Sequence, residues 1–248
     1  MFSQSGCSLT GFGDGKLTTA EYELSASRHL KRREFAGGAY RGYQAGETIF
    51  EVGNRRARIF YLISGWIISW KLLPNGTRMV SDFSLPGDIV WTASAELSRE
   101  TMQALSNIRI YELPALGDRK PESASNDLHR ALLLEMVRRQ ARLTERMANI
   151  GRRDALARTA HLLLELAVRL GVFQHESADG FECPLTQAEI GDAVGLSTVH
   201  INRVLKDMRL SGLLVFKSGV VEFLDRKKLE ELVDFDPSYL APPAERRL

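Results

Sequence analysis

The stretch Ser197-Thr-Val-His-Ile-Asn-Arg-Val-Leu-Lys-Asp-Met208 carries the densest set of reactive side chains in the chain. At helical spacing Ile201, Val204, Leu205 and Met208 fall on one side. Thr198, Val199, Asn202, Arg203 and Lys206 are left on the other, with His200 at its edge. That outward set suits a DNA major groove. A guanidinium can bridge a guanine edge, a carboxamide an adenine edge and a β-branched methyl a thymine methyl, while an ammonium meets phosphate.

Such a face needs elements to hold it. Thr186 and Glu189 form a capping box that opens a preceding helix, whose apolar face is Ile190, Ala193 and Val194. Gly195 stands where the turn requires a left-handed residue, and Ser197 caps the second helix. Leu213–Phe216 and Val220–Phe223, joined by Lys217-Ser-Gly219, read as a β-hairpin wing. Thr186 and Gln187 at the opening of the first helix, Ser197 at the second, and Lys217 on the wing complete the expected double-stranded DNA contacts.

Upstream, His129, Leu133, Met136, Gln140, Leu143, Met147 and Ile150 recur at alternating four- and three-residue steps. This a/d seam predicts a helix over 126–151, about 39 Å long, that pairs with a second copy of itself. The alternative is a helix packed wholly within its own chain. A second apolar row of Leu132, Leu134, Val137 and Ala141 is expected to pack on the preceding domain. Gly151 to Asp154 end the helix, and Asp154 caps another that runs from Leu156 to Leu170 and stops at Gly171. Phe173 to Pro184 reads as loop, and His161 on its apolar helix as a packed core residue.

Between Tyr40 and Leu113 short β-rich runs alternate with turn residues, notably Pro74-Asn-Gly76 and Pro86-Gly-Asp88. They predict an antiparallel barrel or sandwich, with Trp66, Trp70 and Trp91 as core or hairpin-face aromatics. Gly11, Gly13 and Gly15 follow no strand, so a phosphate loop is not expected; the first fifteen or so residues read as a mobile arm before a short helix.

Composition bounds the rest. The 248 residues are 44 % hydrophobic and 26 % charged with a net charge of +2, which fits a globular protein whose basic surface is local. Cys7 and Cys183 are too few for a disulfide framework or a four-thiolate metal or iron–sulfur site, and the histidines lack metal-ligand spacing. No metal and no cofactor is expected. No apolar run is long enough to span a bilayer, so the expectation is a cytoplasmic protein without a membrane partner. No acid/base pair, nucleophile elbow or phosphate loop marks an enzyme.

Taken in order, Ala45-Gly-Glu-Thr-Ile-Phe50, Tyr61-Leu-Ile-Ser-Gly65, Leu85-Pro-Gly-Asp88, Met136-Val-Arg-Arg139 and His200-Ile-Asn-Arg203 resemble the Crp/Fnr family of bacterial transcription regulators, from about Tyr40 to Tyr239. The resemblance implies an α+β chain. An N-terminal antiparallel β-roll or jelly-roll sensor domain of the cyclic-nucleotide type leads to a long dimerisation helix and a C-terminal winged helix-turn-helix. The corresponding boundaries are an arm and short helix at 1–39, the roll at 40–120, the dimer helix at 121–151, the DNA-binding domain at 152–233 and a tail at 234–248. The expected function is a homodimeric, sequence-specific transcription regulator on a two-fold symmetric operator. RNA polymerase is a partner implied by the family. The competing reading is a ligand-sensing roll that acts through protein contacts, its helix-turn-helix non-functional.

Departures from the family shape the mechanism. The Fnr branch holds its cluster with four cysteines, which this chain lacks. The cAMP branch places Gly-Glu and Arg-Ser pairs where this chain has Trp91-Thr-Ala-Ser-Ala-Glu-Leu-Ser-Arg-Glu-Thr101, which contains neither. Trp91, Arg99 and Thr144 are the candidate effector-pocket residues. The seam position that meets the adenine in the cAMP receptor is Leu143 here. A cAMP switch is therefore not expected. Thr198 and Val199 replace the family's Arg-Glu pair while Arg203 is kept, so the preferred half-site should differ. Cys183, ahead of the DNA-binding helices, is a candidate redox residue.

Overall fold

A computed structural model describes residues 38–52, 58–92, 100–113, 126–171 and 179–240. The arm, its short helix and its Gly-rich segment lie outside these residues, as do Arg99 and Cys7.

Among the described residues eight strands form the roll: β1 (Ala39–Tyr43), β2 (Thr48–Phe50), β3 (Arg58–Ser64), β4 (Ile67–Leu72), β5 (Arg78–Ser84), β6 (Ile89–Thr92), β7 (Thr101–Ala104) and β8 (Ile108–Leu113). They pair antiparallel in two four-stranded sheets, ordered β1-β8-β3-β6 and β2-β7-β4-β5. Period-two alternation decides what each face meets. Phe60 and Leu62 join Ile49, Phe50, Ile67, Met102 and Ile110 in one core, whereas Tyr61, between them, packs on the long helix. Strands β1 and β7 escaped the sequence reading because they lack a marked apolar run.

The long helix α1 (Asn126–Arg152) matches its predicted span within a residue. Leu128, Ala131 and Leu132 pack on Tyr61, Ile89, Tyr111 and Leu113 of the roll. Beyond Leu132 the inward face turns polar: Glu135, Arg142, Arg146 and Asn149 are all buried. The predicted second apolar row is therefore corrected, since Val137 is 60 % exposed and only Leu132 of that row is buried.

Helix α2 (Ala155–Arg169) starts at Asp154, whose side chain accepts from the Ala157 amide at 2.8 Å. The C-terminal part continues through β9 (Gly180–Glu182), α3 (Gln187–Val194), α4 (Thr198–Leu210), β10 (Leu214–Lys217), β11 (Val220–Phe223), α5 (Arg226–Val233) and a 3₁₀ turn at Pro237–Leu240. Residues Gly180–Glu182, read as loop, add a third strand beside the wing, in the order β10-β11-β9.

The roll and the DNA-binding domain do not have separate cores. Trp66, Ile68, Val80, Phe83 and Leu85 from the outer face of the second sheet share one cluster with Leu163, Phe181, Ile190, Ile201, Met208 and Leu214. Trp66 stacks on Phe181 at 6.3 Å between centroids, and Arg78 Nε of β5 donates to Asp192 Oδ2 of α3 at 2.7 Å. Among the described residues no helix is long and apolar enough to cross a membrane.

His161 is buried as expected, between Phe235 and Tyr239 of the tail, with Asn149 at 3.1 Å and Glu145 at 3.2 Å. Burial, reinforced by nearby Arg153, lowers its pKa to about 4. Unfolding releases it to about 6.5, so the unfolded chain binds the extra proton and stability should fall as pH drops from 6.5 toward 4. The loss should reach about 3 kcal/mol at the lower end. Urea unfolding at pH 7 and pH 5 measures it. His161→Phe should shrink the difference by at least half, and an equal difference would remove His161 as its source.

Candidate nucleic-acid interface

Local geometry sets the recognition face. Thr186 caps α3: its hydroxyl oxygen accepts from the Glu189 amide at 3.2 Å, and Glu189 Oε2 accepts from the Thr186 amide at 2.7 Å. Gly195 ends the helix in the left-handed region at φ 70°. Gly191 is needed for a different reason. A Cβ there would lie 2.5 Å from the Leu196 carbonyl oxygen, so only glycine lets the turn close this tightly on α3. Ser197 then caps α4 by accepting from the His200 amide at 3.3 Å.

Helix α4 buries Ile201, Val204, Leu205 and Met208. Thr198, Val199, His200, Asn202, Arg203 and Lys206 are all exposed, and Val199 is 73 % exposed although it is apolar. Among the described residues neither Arg203 nor Lys206 has an ion-pair partner within 4.0 Å. Their charges are available to an incoming polyanion. Lys217 is exposed where the wing turns through Ser218 at φ 53° and Gly219 at φ 75°. Thr186 is exposed and Gln187 half-buried at the opening of α3.

The seam residues occupy one surface of α1. Leu133 is 62 %, Met136 52 %, Met147 75 % and Ile150 42 % exposed within the chain. His129 and Gln140 are exposed beside them and Leu143 is half-buried. Val137 belongs with this surface, which the heptad reading missed because its position, e, flanks the a/d seam.

The cleft between roll and long helix differs from the expectation. It is lined by Ser69, Asp82, Ser84, Asp88, Trp91, Met102, Glu135, Arg139 and Arg142 among others, and holds about 280 Å³ with its open mouth included. Trp91 is there, with the Arg139 guanidinium 5.6 Å above its ring. Thr144 is not: it is exposed, and its hydroxyl donates to the Gln140 carbonyl at 3.0 Å. The side chains that dominate the cleft are ion-paired to one another. Arg142 Nη2 donates to Asp82 Oδ2 at 2.8 Å and to Glu135 Oε1 at 3.2 Å. Burial pushes the Asp82 carboxyl up, but Arg142 and Arg169 more than offset this and hold it well below the usual carboxylate range. Burial also raises Glu135, with Asp88 adding to the shift. The sequence reading missed Asp82, Glu135 and Arg142 because only their burial distinguishes them from surface charges.

Cys183, the candidate redox residue, lies in the interior. It is 1 % exposed, and burial pushes its thiol up to about 12, so the reactive thiolate is suppressed. Among the described residues no group of three or more His, Cys, Asp or Glu side chains is placed to hold a metal ion.

A sensor-type roll, a long helix with a bare apolar seam and a winged helix-turn-helix with an uncovered basic face define a DNA-binding transcription regulator. The model of the cyclic nucleotide-binding domain matches residues 40–116, and that of the Crp-like helix-turn-helix domain matches residues 157–232. The chain belongs to the Crp/Fnr family of transcription regulators. It is 27 % identical over 187 residues to the transcriptional activator protein FnrA of Stutzerimonas stutzeri, covering 75 % of this chain and 76 % of that one. It is 24 % identical over 210 residues to the nitrogen fixation regulation protein FixK of Bradyrhizobium diazoefficiens, covering 85 % of each. The solved structure of FixK2 from Bradyrhizobium japonicum superposes with a TM-score of 0.69 at 23 % identity, over 79 % of this chain and 96 % of that one.

Proposed function

We propose that the protein is a homodimeric, sequence-specific regulator that binds a two-fold symmetric operator without cAMP and without an iron–sulfur cluster. The carrying observation is an uncovered recognition face beside a cleft whose buried Arg142 is already bonded to Asp82 and Glu135. A bound cyclic nucleotide needs a cation for its phosphate, and here Arg142 is committed to Asp82 and Glu135. The two cysteines are too few for a four-thiolate cluster, and Cys183 is buried away from any partner thiol among the described residues. Dimerisation through α1 is supported by the 3.5-residue spacing of its exposed apolar seam. Contact with RNA polymerase from the DNA-bound dimer is part of this reading.

Half-sites about one helical turn, roughly 34 Å, apart follow from the two-fold arrangement. Selection of bound sequences by the full chain with no added ligand tests the reading. Arg203→Ala should weaken the selected operator by about 1–3 kcal/mol and relax preference at one guanine per half-site. Loss of affinity on all sequences alike would make Arg203 a phosphate contact instead. Titration calorimetry with cAMP and cGMP should show no binding at micromolar concentration, and operator affinity should change less than twofold with either nucleotide. A tenfold gain would overturn the ligand independence.

A further inference from the structure

We infer that Asp82 is the positioning residue of the DNA-binding domain: its carboxylate ties the roll, the long helix and α2 into one arrangement and does the work that a bound effector would otherwise do. The inference rests on the regulator reading above and names how that regulator is held ready.

A β-bulge aims the side chain. Ser69 of β4 pairs with Asp82 and Trp70 with Val80, so Ser81 is an extra residue on β5. Its hydroxyl donates back to the Ser69 carbonyl at 3.1 Å. The extra residue reverses the alternation. Val80 and Phe83 share the outer face that joins the DNA-binding core, while Asp82 points into the cleft toward α1. Without the bulge Asp82 would lie on the same face as Val80.

Once there, Asp82 is 4 % exposed and meets guanidiniums from two helices. Arg142 of α1 grips both oxygens, Nη2 to Oδ2 at 2.8 Å and Nε to Oδ1 at 3.3 Å. Arg139 Nε lies 3.8 Å from Oδ2. Arg169, near the end of α2, places Nη1 3.8 Å from Oδ1, and its Nη2 donates to Asp88 Oδ2 and to the Phe83 carbonyl, both at 2.8 Å. Arg146 of α1 donates to the Ser81 carbonyl at 2.7 Å, with its Nη2 3.8 Å from Glu165 Oε1 of α2. Both helices thus converge on the bulged segment of β5. The same strand carries Arg78, which reaches Asp192 of the first helix of the helix-turn-helix.

Two-point guanidinium–carboxylate contacts fix orientation as well as distance, and a buried charge that loses its counter-charge is costly. An effector switches a two-state protein only by binding one arrangement better than the other. Here the discriminating contacts are built into the chain, so they favour this arrangement with no ligand bound. The consequence is geometric: the separation and tilt of the two recognition helices in a dimer depend on this cluster, though no member of it touches DNA.

The test uses the full chain and compares the selected operator with versions whose half-site spacing is one base pair longer or shorter. The wild type should discriminate spacing by tenfold or more. Asp82→Asn should lose tenfold or more on the selected operator and cut the spacing preference below threefold, with sedimentation and affinity for random DNA unchanged within twofold. Arg142→Gln should act in the same direction. The double variant should lose less than the product of the two, because one pair is broken only once. A purely structural role would lower the unfolding midpoint and all DNA binding together, leaving spacing preference intact. A folded Asp82→Asn protein with wild-type spacing preference would falsify the inference. If Asp82→Asn does not fold, Arg142→Gln decides by the same criteria. If the wild type selects no sequence, the regulator reading has failed, and hydrogen exchange judges the inference separately. Exchange across 187–194 must rise in either variant, and unchanged exchange overturns the positioning role.

Discussion

Met147→Glu is expected to convert the proposed dimer into a monomer that no longer holds its operator at nanomolar concentration. Met147 is 75 % exposed within the chain and sits one heptad beyond Gln140 on a stripe that includes Leu133, Met136 and Ile150. In a paired helix it faces its own copy, so the variant brings two carboxylates together in an apolar seam, where neither has a counter-charge. Operator binding should fall by about 10²–10⁴-fold, the factor a dimer gains by presenting its second reading head at high effective concentration. Sedimentation at micromolar protein, beside a gel-shift titration, measures both effects. Met147→Leu is the control and should remain dimeric. A Met147→Glu protein that still sediments as a dimer would place the interface elsewhere.

Phe83→Ala should cost about 3–5 kcal/mol, a large part of the 5–15 kcal/mol that stabilises a typical domain. Phe83 is fully buried on the outer face of the second sheet, in the cluster that the roll and the DNA-binding domain share. Its ring lies 5.7 Å beneath the Arg146 guanidinium, and its carbonyl accepts from Arg169. Removing it opens a cavity where three elements meet. Calorimetry should show the melting temperature fall by roughly 6–20 °C for a chain of this size. Because that core is continuous, the wild type should melt in one transition. Two resolved transitions in the wild type, or a loss below 1 kcal/mol in the variant, would mean that the domains are stabilised separately.

The elements that position the recognition face were legible in the sequence because their determinants are local. The Thr186–Glu189 capping box, the left-handed Gly195, the Ser197 cap and the helical period of Ile201, Val204, Leu205 and Met208 all act within a turn or two. The same is true of the α1 seam, whose period is a property of one helix. The edge strand β1, the inner strand β7 and the short β9 were less legible, since a strand of three to five residues with little apolar content is defined by its partners.

The effector cleft was not legible, and the reason is specific. The inward face of α1 carries Glu135, Arg142 and Arg146, residue types that in isolation read as solvated. The partners of Arg142 and Arg146 on β5 are far away in the chain: Asp82 lies 60 residues from Arg142 and Ser81 65 from Arg146. The burial of Cys183 was hidden in the same way, because it follows from the fold and not from its neighbours in sequence. A single bulge at Ser81 decides which face Asp82 takes, and period-two reasoning from Val80 would have assigned it to the other. The amino-acid sequence alone thus determined the class of fold, the apolar seam of the long helix and the exposed face of α4, because spacing within an element sets each of them. Only the tertiary structure decided what fills the cleft, because the energy of a buried charge depends on which distant charges the fold brings to it.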